Sequence, residues 1–316
     1  MSTNKMRKES KRILVYKYFE ELIRRKRETG NHSTADLYRA TNNWIKKFTK
    51  GHALMLYEIT PAFVNKFHTY LKSQIHLKTN SIISYICNFR AMYNTAIRER
   101  IVYPHILPFD HLQLHKEKTL KRAISSKEIE KICTLDLQQD PKLLLSADLC
   151  IFSFLACGMP FVDLVHLTND NIVGKEIVYN RIKTGTLIRI HITEGMQQLL
   201  NKYNGNNGTF LFPVLKKGEE TTHEEYKSHL SAYNTDLKRI GKKLNIPIQL
   251  TSYVIRHSWA TTAHKRHIPI AVISQALGHT SEKTTRYYLD QLDQSELERA
   301  NALITESIEN ILRDNA

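Results

Sequence analysis

The chain has 316 residues, of which 41% are hydrophobic and 24% are charged, and its formal net charge at pH 7 is +15. This composition is that of a folded globular protein, and the length favours two domains. The excess of basic residues indicates a polyanionic partner, with nucleic acid as the first candidate and an anionic membrane surface as the second.

A membrane protein is disfavoured by the pattern of apolar residues. Residues 1–12 are polar and basic with no apolar run behind them, unlike a signal peptide. The most apolar stretch, residues 143–159, contains Asp148 and is too short to span a bilayer, so it is predicted to be a buried core helix. We therefore expect a cytoplasmic protein. Its four cysteines show no C-x-x-C spacing and are predicted to be reduced, buried thiols in helices.

Residues 10–105 are predicted to form a bundle of four helices with basic faces. Apolar residues recur at helical spacing in three groups. These groups are Val15, Phe19, Leu22 and Ile23; Leu37, Ala40, Trp44, Ile45 and Phe48; and Phe63, Phe67, Tyr70 and Leu71. Thr60 followed by Pro61 is typical of a helix start. A fourth helix is predicted from about Thr79 to Glu99, and its exposed side is rich in Asn, Arg and Lys.

A linker is predicted after this bundle. Pro104 and Pro108 stop helices, and residues 115–122 are strongly basic and therefore solvated. Ser125 and Glu128 then have the spacing of a capping box that opens a new helix. We place the boundary near residue 115, which gives an N-terminal domain of residues 1–115 and a second domain of residues 116–316.

The second domain is predicted to be mainly α-helical with one small antiparallel β-sheet. Residues 176–192 are rich in β-branched side chains around a Lys183-Thr184-Gly185-Thr186 turn, which predicts a hairpin. Helices return from about Glu194. A last amphipathic helix is predicted over residues 295–313, with Leu297, Ile304, Ile308 and Ile311 on one stripe.

Three segments of the second domain carry chemically active side chains in a fixed order. They are residues 158–167 (GMPFVDLVHL), residues 250–261 (LTSYVIRHSWAT), and residues 277–280 (LGHT) followed by Thr284, Thr285 and Tyr288. Together they resemble the tyrosine recombinase family of phage-type integrases, over about residues 120–300. Lys183 falls between the first two segments, where the family has a hairpin lysine.

The resemblance implies a role for each of four residues and places a fifth, Tyr253, in the site. Tyr288 would be the nucleophile that attacks a DNA phosphate and becomes covalently attached to it. Arg256 would hold the phosphate, since a guanidinium matches two phosphate oxygens. His279 would add a hydrogen bond, and Lys183 would protonate the departing 5′ oxygen. Tyr253 stands where the family usually has histidine. None of this chemistry requires a metal or another cofactor.

The resemblance also implies the partners. The N-terminal bundle matches the family's core-binding (SAM-like) domain in size, helicity and charge. We expect a site-specific recombinase that acts on double-stranded DNA with inverted repeats and assembles as a tetramer on it. The terminal helix would then dock on a neighbouring protomer, with packing on its own domain as the alternative.

One expected catalytic group is absent from the first segment. The family usually has an arginine two residues after the glycine, where this chain has Pro160, and the residue before the glycine is Cys157. Loss of a comparable transition-state donor costs on the order of 3 kcal/mol. Another cation would have to compensate, and the sequence leaves three open. They are Arg181, Arg189 and Lys175.

Other interpretations follow from the same residues. A DNA-binding protein that keeps the fold without the chemistry would explain the missing arginine. Asp163 is expected to orient a neighbouring group or cap a helix, and His257 to pack or brace Arg256. A metal-dependent nuclease is disfavoured, because His223 and His229 are six residues apart, where the helical zinc motif requires four.

Overall fold

The computed structural model describes residues 13–117, 122–204, 209–215, 221–289, 301–306, 308 and 310, with backbone alone for Tyr287 and Tyr288. The chain divides into two compact units, Met1–Thr119 and Leu120–Ala316. Each unit has its own hydrophobic core.

The described part of the first unit contains four α-helices, as predicted. They are α1 (Val15–Glu28), α2 (His32–Phe48), α3 (Pro61–Lys72) and α4 (Thr79–Arg98), with a 3₁₀ turn at Leu56–Glu58. The predicted start of α3 is confirmed, because the Thr60 hydroxyl accepts a hydrogen bond from the Phe63 amide at 3.2 Å. Helix α2 packs on both α1 and α4.

Aromatic side chains fill the centre of this bundle. Phe19, Phe67 and Phe89 are completely buried, and the rings of Phe89 and Phe109 meet edge to face at 5.1 Å. The predicted apolar stripe of α2 is partly wrong, because Leu37 is 43% exposed. The helix instead buries the face that carries Tyr38 and Ile45. Apolar spacing identified the helix, but the neighbouring helices decided which face is buried.

The second unit is mostly helical. Its α-helices are α5 (Ser126–Cys133), α6 (Pro141–Leu155), α7 (Phe161–Val165), α8 (Glu194–Tyr203), α9 (His223–Lys243), α10 (Ser252–Lys265), α11 (Ile270–Ala276) and α12 (Glu282–Leu289). The predicted capping box is confirmed at α5, where the Ser125 amide donates to Glu128 Oε2 at 2.7 Å and the Glu128 amide donates to Ser125 Oγ at 3.4 Å.

Helix α6 is the predicted core helix, and it packs against α9 and α10. The buried stretch does not stay helical to its end. The helix stops at Leu155, and Cys157 and Gly158 form a turn with φ of 57° and 68°. The expectation that all four cysteines lie in helices is therefore wrong for Cys157. All four are free thiols, but the expectation that all are buried is wrong, because Cys133 at the end of α5 is exposed and Cys150 alone is fully buried.

The predicted hairpin belongs to a three-stranded antiparallel sheet of order β1-β2-β3. Its strands are β1 (Ile172–Val173), β2 (Glu176–Asn180) and β3 (Leu187–His191). Ile177 lies opposite Ile190, and Tyr179 lies opposite Ile188. All four of these side chains are buried, so one face of the hairpin is fixed on the core and its turn, residues 181–186, projects from the end.

The C-terminal prediction is described only in part. Residues 301–306, 308 and 310 are helical, whereas Leu297 and Ile311 lie outside the described residues. Ile304 and Ile308 are 76% and 59% exposed. Among the described helices, none is long and apolar enough to cross a membrane.

Candidate active site

Arg256 lies at the centre of the basic residues predicted to act on DNA. It belongs to α10 and is 6% exposed. Its Nη1 donates to the Gly158 carbonyl at 2.8 Å, and its Nη2 donates to the Leu277 carbonyl at 2.5 Å. These partners come from two different predicted motifs. Since both are neutral carbonyls, they orient the guanidinium without cancelling its charge.

The glycine of the first motif is required by close packing. Gly158 has a φ of 68°, a conformation that favours glycine. A Cβ there would lie 3.1 Å from Arg256 Cα and 3.3 Å from the Arg256 carbonyl oxygen. The turn can therefore bring its carbonyl to the Arg256 side chain only with glycine at this position.

His279 joins Arg256 to the helix that carries Tyr288. Arg256 Nη2 lies 3.4 Å from His279 Nε2, and His279 Nδ1 is hydrogen-bonded to Thr285 Oγ1 at 2.9 Å. A guanidinium can only donate, so Nε2 accepts and the neutral ring donates from Nδ1 to Thr285. Thr285 is completely buried in α12. Tyr288 follows it by three residues, about one turn along the same helix.

The surroundings of His279 are electropositive. Burial lowers its pKa to about 4, and the positive charges of Arg256, Arg181, Lys183 and His257 contribute in the same direction. The imidazole is therefore neutral at pH 7. Three predicted site residues, Arg256, His279 and Lys183, are thus close enough to interact electrostatically.

Lys183 is exposed in the turn between β2 and β3. The turn is closed by hydrogen bonds from the Arg181 amide to the Thr186 carbonyl at 2.9 Å and from the Gly185 amide to the Arg181 carbonyl at 2.8 Å. Thr184 Oγ1 donates to the Gly278 carbonyl at 3.5 Å. The turn therefore lies beside the Gly278-His279 segment, and Lys183 is presented at its edge.

Arg181 enters this cluster from the end of β2, and it is 6% exposed. Its Nη1 donates to the carbonyls of Leu277 and Gly278, each at 3.0 Å, and its Nε lies 3.4 Å from Asp163 Oδ2. Gly278 has a φ of 62°, and a Cβ there would come within 2.8 Å of Ile188 Cδ1 and closer still to Arg181 Cδ. Glycine at this position is what lets Arg181 reach the motif backbone.

The other two cations left open by the sequence are exposed. Arg189 lies on β3 with a side chain 60% exposed, and its Nε is 3.7 Å from Glu176 Oε2. Lys175 is exposed in the β1–β2 turn. The fold therefore selects Arg181 from the three.

Asp163 fulfils the orienting role expected of it. Its Oδ1 accepts from the Ile182 amide at 2.9 Å, and its Oδ2 faces Arg181 Nε. It is 2% exposed and lies on α7, whose N-cap is Pro160. The helix that begins at the position of the missing arginine thus holds the turn that carries Arg181.

Tyr253 is a predicted site residue that lies on the surface and not in the buried cluster. It is 57% exposed at the start of α10, and its ring meets that of His257 edge to face at 4.2 Å. His257 is buried one turn further along. The side chain of Tyr288 lies outside what the structure describes.

Thr285 is the site residue that the sequence did not reveal. It belongs to the third motif, but a threonine in a helix carries no sequence signal for bonding a histidine six residues earlier.

The segment from His223 to His229, whose histidines resemble a zinc motif, has a structural role. Glu225 closes a capping box at the start of α9 by accepting from the Thr222 amide at 2.9 Å. Among the described residues, no group of three or more His, Cys, Asp or Glu side chains could hold a metal.

The two units of the chain each match a model of a known protein family. The family model "Phage integrase SAM-like domain" matches residues 14–118, and the model "Phage integrase family" matches residues 122–295. The chain therefore belongs to the phage integrase family. It is mostly helical with a small antiparallel sheet, as predicted, with an N-terminal SAM-like domain and a C-terminal integrase catalytic domain.

Named relatives are tyrosine recombinases. The chain is 24% identical over 245 residues to the tyrosine recombinase XerD of Halalkalibacterium halodurans, covering 73% of this chain and 77% of that protein. It is 27% identical over 134 residues to the tyrosine recombinase XerA of Saccharolobus solfataricus, where the match spans 38% of this chain and less than half, 45%, of that relative.

A solved structure shares the fold. The structure of a lambda integrase tetramer bound to a Holliday junction aligns with a TM-score of 0.64 at 15% identity, covering 87% of this chain and 77% of that one.

Proposed function

We propose that this protein is a site-specific DNA recombinase that cuts and rejoins DNA through a covalent 3′-phosphotyrosine. The observation that carries the proposal is the contact of Arg256 with His279, whose partner Thr285 lies one turn before Tyr288 in α12. Transfer of a phosphoryl group to a phenol requires hydrogen-bond donors that are held in place near the tyrosine, and this arrangement supplies them.

We assign the cleavage step as follows. The Tyr288 phenol attacks the phosphorus, and its proton leaves to solvent. The bond from phosphorus to the 5′ oxygen breaks, and the Lys183 ammonium donates a proton to that oxygen. Arg256 stabilises the charge that grows on the non-bridging oxygens. Rejoining reverses these steps when a 5′ hydroxyl attacks the phosphotyrosine, which conserves the energy of the bond.

His279 has a specific part in this step. In the DNA-free protein its Nε2 faces Arg256 as an acceptor. To donate to a phosphate oxygen, the ring must carry its proton on Nε2, and Nδ1 must then accept from Thr285. A threonine hydroxyl can donate or accept, so Thr285 supports both tautomers. Tyr253, exposed beside His257, is proposed to contact the DNA at the edge of the site.

We propose double-stranded DNA with inverted-repeat sites as the substrate. We also propose that the reaction takes place in the cytoplasm. The N-terminal unit, taken as residues 1–115, would hold the core of the site, and residues 116–316 would hold the catalytic groups. Integration, excision or inversion of a mobile element are the reactions that such a protein performs. The net charge of +15 favours contacts with DNA phosphates.

We further propose assembly as a tetramer on DNA through the C-terminal helix. Ile304 and Ile308, two members of the predicted stripe, are 76% and 59% exposed, as is Leu303 at 66%. Three exposed apolar side chains on one helix form a surface that a partner protomer would cover.

A suicide DNA substrate, nicked so that the cleaved strand cannot be rejoined, tests the proposal. The wild-type protein should form a covalent adduct, and Tyr288→Phe should form none while its gel-shift affinity stays within about twofold, because only a hydroxyl is lost. Tyr287→Phe is the matched control and should still form adduct. Adduct formation by Tyr288→Phe would assign the nucleophile elsewhere.

The second candidate is a DNA-binding protein of the same fold without catalysis, and Pro160 is the observation that favours it. It predicts tight DNA binding and no adduct with any substrate, by the wild type or by either variant. The same experiment therefore decides between the two.

A further inference from the structure

The site has two guanidinium groups, although its first motif has none. Pro160 is the N-cap of α7 and has no hydrogen-bond donor. Arg181 nevertheless brings a second guanidinium to Arg256 from a different element, because both donate to one acceptor, the Leu277 carbonyl, at 3.0 Å and 2.5 Å. The two cations therefore lie side by side at the residue that precedes Gly278 and His279.

This pair of cations has one carboxylate beside it, so it keeps an excess of positive charge. Arg181 and Arg256 are each 6% exposed, so neither charge is well screened by water. The carboxylate of Asp163 faces Arg181 at 3.4 Å, longer than a normal charge-assisted hydrogen bond. Two cations that are buried together are stabilised when one anion binds between them and contacts both. This is the arrangement of a phosphate site.

Arg181 also has a donor to offer. Its Nε faces Asp163 and its Nη1 serves two carbonyls, whereas Nη2 has no hydrogen-bond partner within the described part of the chain. Its charge reaches the site as well, since it is one of the cations that lower the pKa of His279. The position of Arg181, its charge and its available donor are therefore all suited to binding the phosphate of the proposed reaction.

We propose that Arg181 supplies the second guanidinium contact to the scissile phosphate, in place of the arginine that Pro160 displaces. Asp163 is its positioning residue: it fixes Nε and, through the Ile182 amide, the start of the turn. The assignment rests on the proposed recombinase function. It makes a catalytic group of a residue at the end of a strand, outside the three motifs.

Cleavage kinetics with Arg181→Lys and Arg181→Gln test this assignment. Arg181→Lys keeps a charge but not the planar fork, and loss of one such donor slows the chemical step by roughly 10²–10³-fold. We expect that reduction in the rate of adduct formation, with gel-shift affinity changed by less than about fivefold. Arg189→Lys, on the neighbouring strand, is the matched control and should cleave at the wild-type rate.

A substrate with a neutral methylphosphonate at the cleavage position separates a phosphate contact from a purely structural role. If Arg181 acts on the phosphate charge, its substitution should slow cleavage of this substrate much less than cleavage of ordinary DNA. Equal slowing on both substrates, or wild-type rates in Arg181→Lys, would overturn the assignment while leaving the recombinase function intact. Absence of adduct from the wild type would instead refute the recombinase function.

A crystal structure of the wild-type protein on a suicide half-site gives a readout that does not depend on how the variants fold. A guanidinium nitrogen of Arg181 should lie within hydrogen-bond distance of a non-bridging oxygen of the cleaved phosphate. A phosphate held by Arg256, with no guanidinium nitrogen of Arg181 within hydrogen-bond distance of it, would overturn the assignment.

Discussion

The imidazole of His279 and the hydroxyl of Thr285 are hydrogen-bonded, with 2.9 Å between Nδ1 and Oγ1. This bond connects the segment that receives Arg181 and Arg256 to the helix that carries Tyr288. It therefore fixes both the ring of His279 and the first turns of α12.

Thr285→Val should slow DNA cleavage about fivefold with little change in DNA affinity. Valine fills the same buried volume but leaves His279 Nδ1 without its partner, and one hydrogen bond contributes about 1 kcal/mol. The rate of adduct formation on a suicide substrate measures the effect. Thr284→Val changes the exposed neighbour and should have the wild-type rate. An unchanged rate in Thr285→Val would show that His279 needs no support from α12.

The stability of the protein should depend on pH through His279. Its folded pKa of about 4 lies below that of an unfolded histidine, so the unfolded chain binds the proton first as the pH falls. The stabilising contribution of the neutral ring is complete above about pH 6.5 and is lost as the pH falls toward 4.

Urea unfolding of wild type and His279→Gln at a series of pH values measures this contribution. The difference in their free energies of unfolding should be flat above pH 7. It should then shift by about 1–2 kcal/mol against the wild type by pH 4.5, less than the full linkage value because the ring is partly exposed. A difference that stays constant across the range would contradict the lowered pKa.

Gly158→Ala should destabilise the protein and impair cleavage together. A Cβ at this position is strained by the φ of 68° and lies 3.1 Å from Arg256 Cα. We expect about 2–3 kcal/mol of lost stability, from left-handed strain plus overpacking, and a slower cleavage rate because Arg256 must move. Urea denaturation and adduct formation are the measurements.

Gly174→Ala is the control for backbone strain alone. Gly174 has a φ of 62°, and a Cβ there would meet no atom within 4 Å. It should cost about 1 kcal/mol and leave cleavage unchanged. Equal losses in the two variants would show that packing against Arg256 is unimportant.

Truncation after Gln294 should leave a monomer that binds single half-sites but does not pair two sites or complete strand exchange. The reason is the exposed apolar stripe at Ile304 and Ile308, which the proposed assembly covers. Ile304→Ser with Ile308→Ser should reproduce the defect, whereas Asn301→Ala should not. Gel shifts with paired sites and sedimentation provide the test, and normal paired-site complexes from the truncated chain would rule out the docking role.

The sequence by itself determined the family, the order of the motifs and most of the helices, because these depend on local patterns. Thr60 and Ser125 cap their helices through residues three positions away, and the β-branched run around residues 183–186 forms its hairpin with short-range pairing. The motifs also identified Arg256 and His279, which the fold brings into contact.

Only the tertiary structure decided which cation accompanies Arg256. Arg181, Arg189 and Lys175 are equivalent in the sequence, but strand alternation and the turn bury Arg181 on Asp163 and leave the other two exposed. The contact of Arg181 with the Leu277 carbonyl spans 96 residues, and it depends on the absence of a side chain at Gly278. Such a contact follows from how separate elements pack, and no local pattern of residues encodes it.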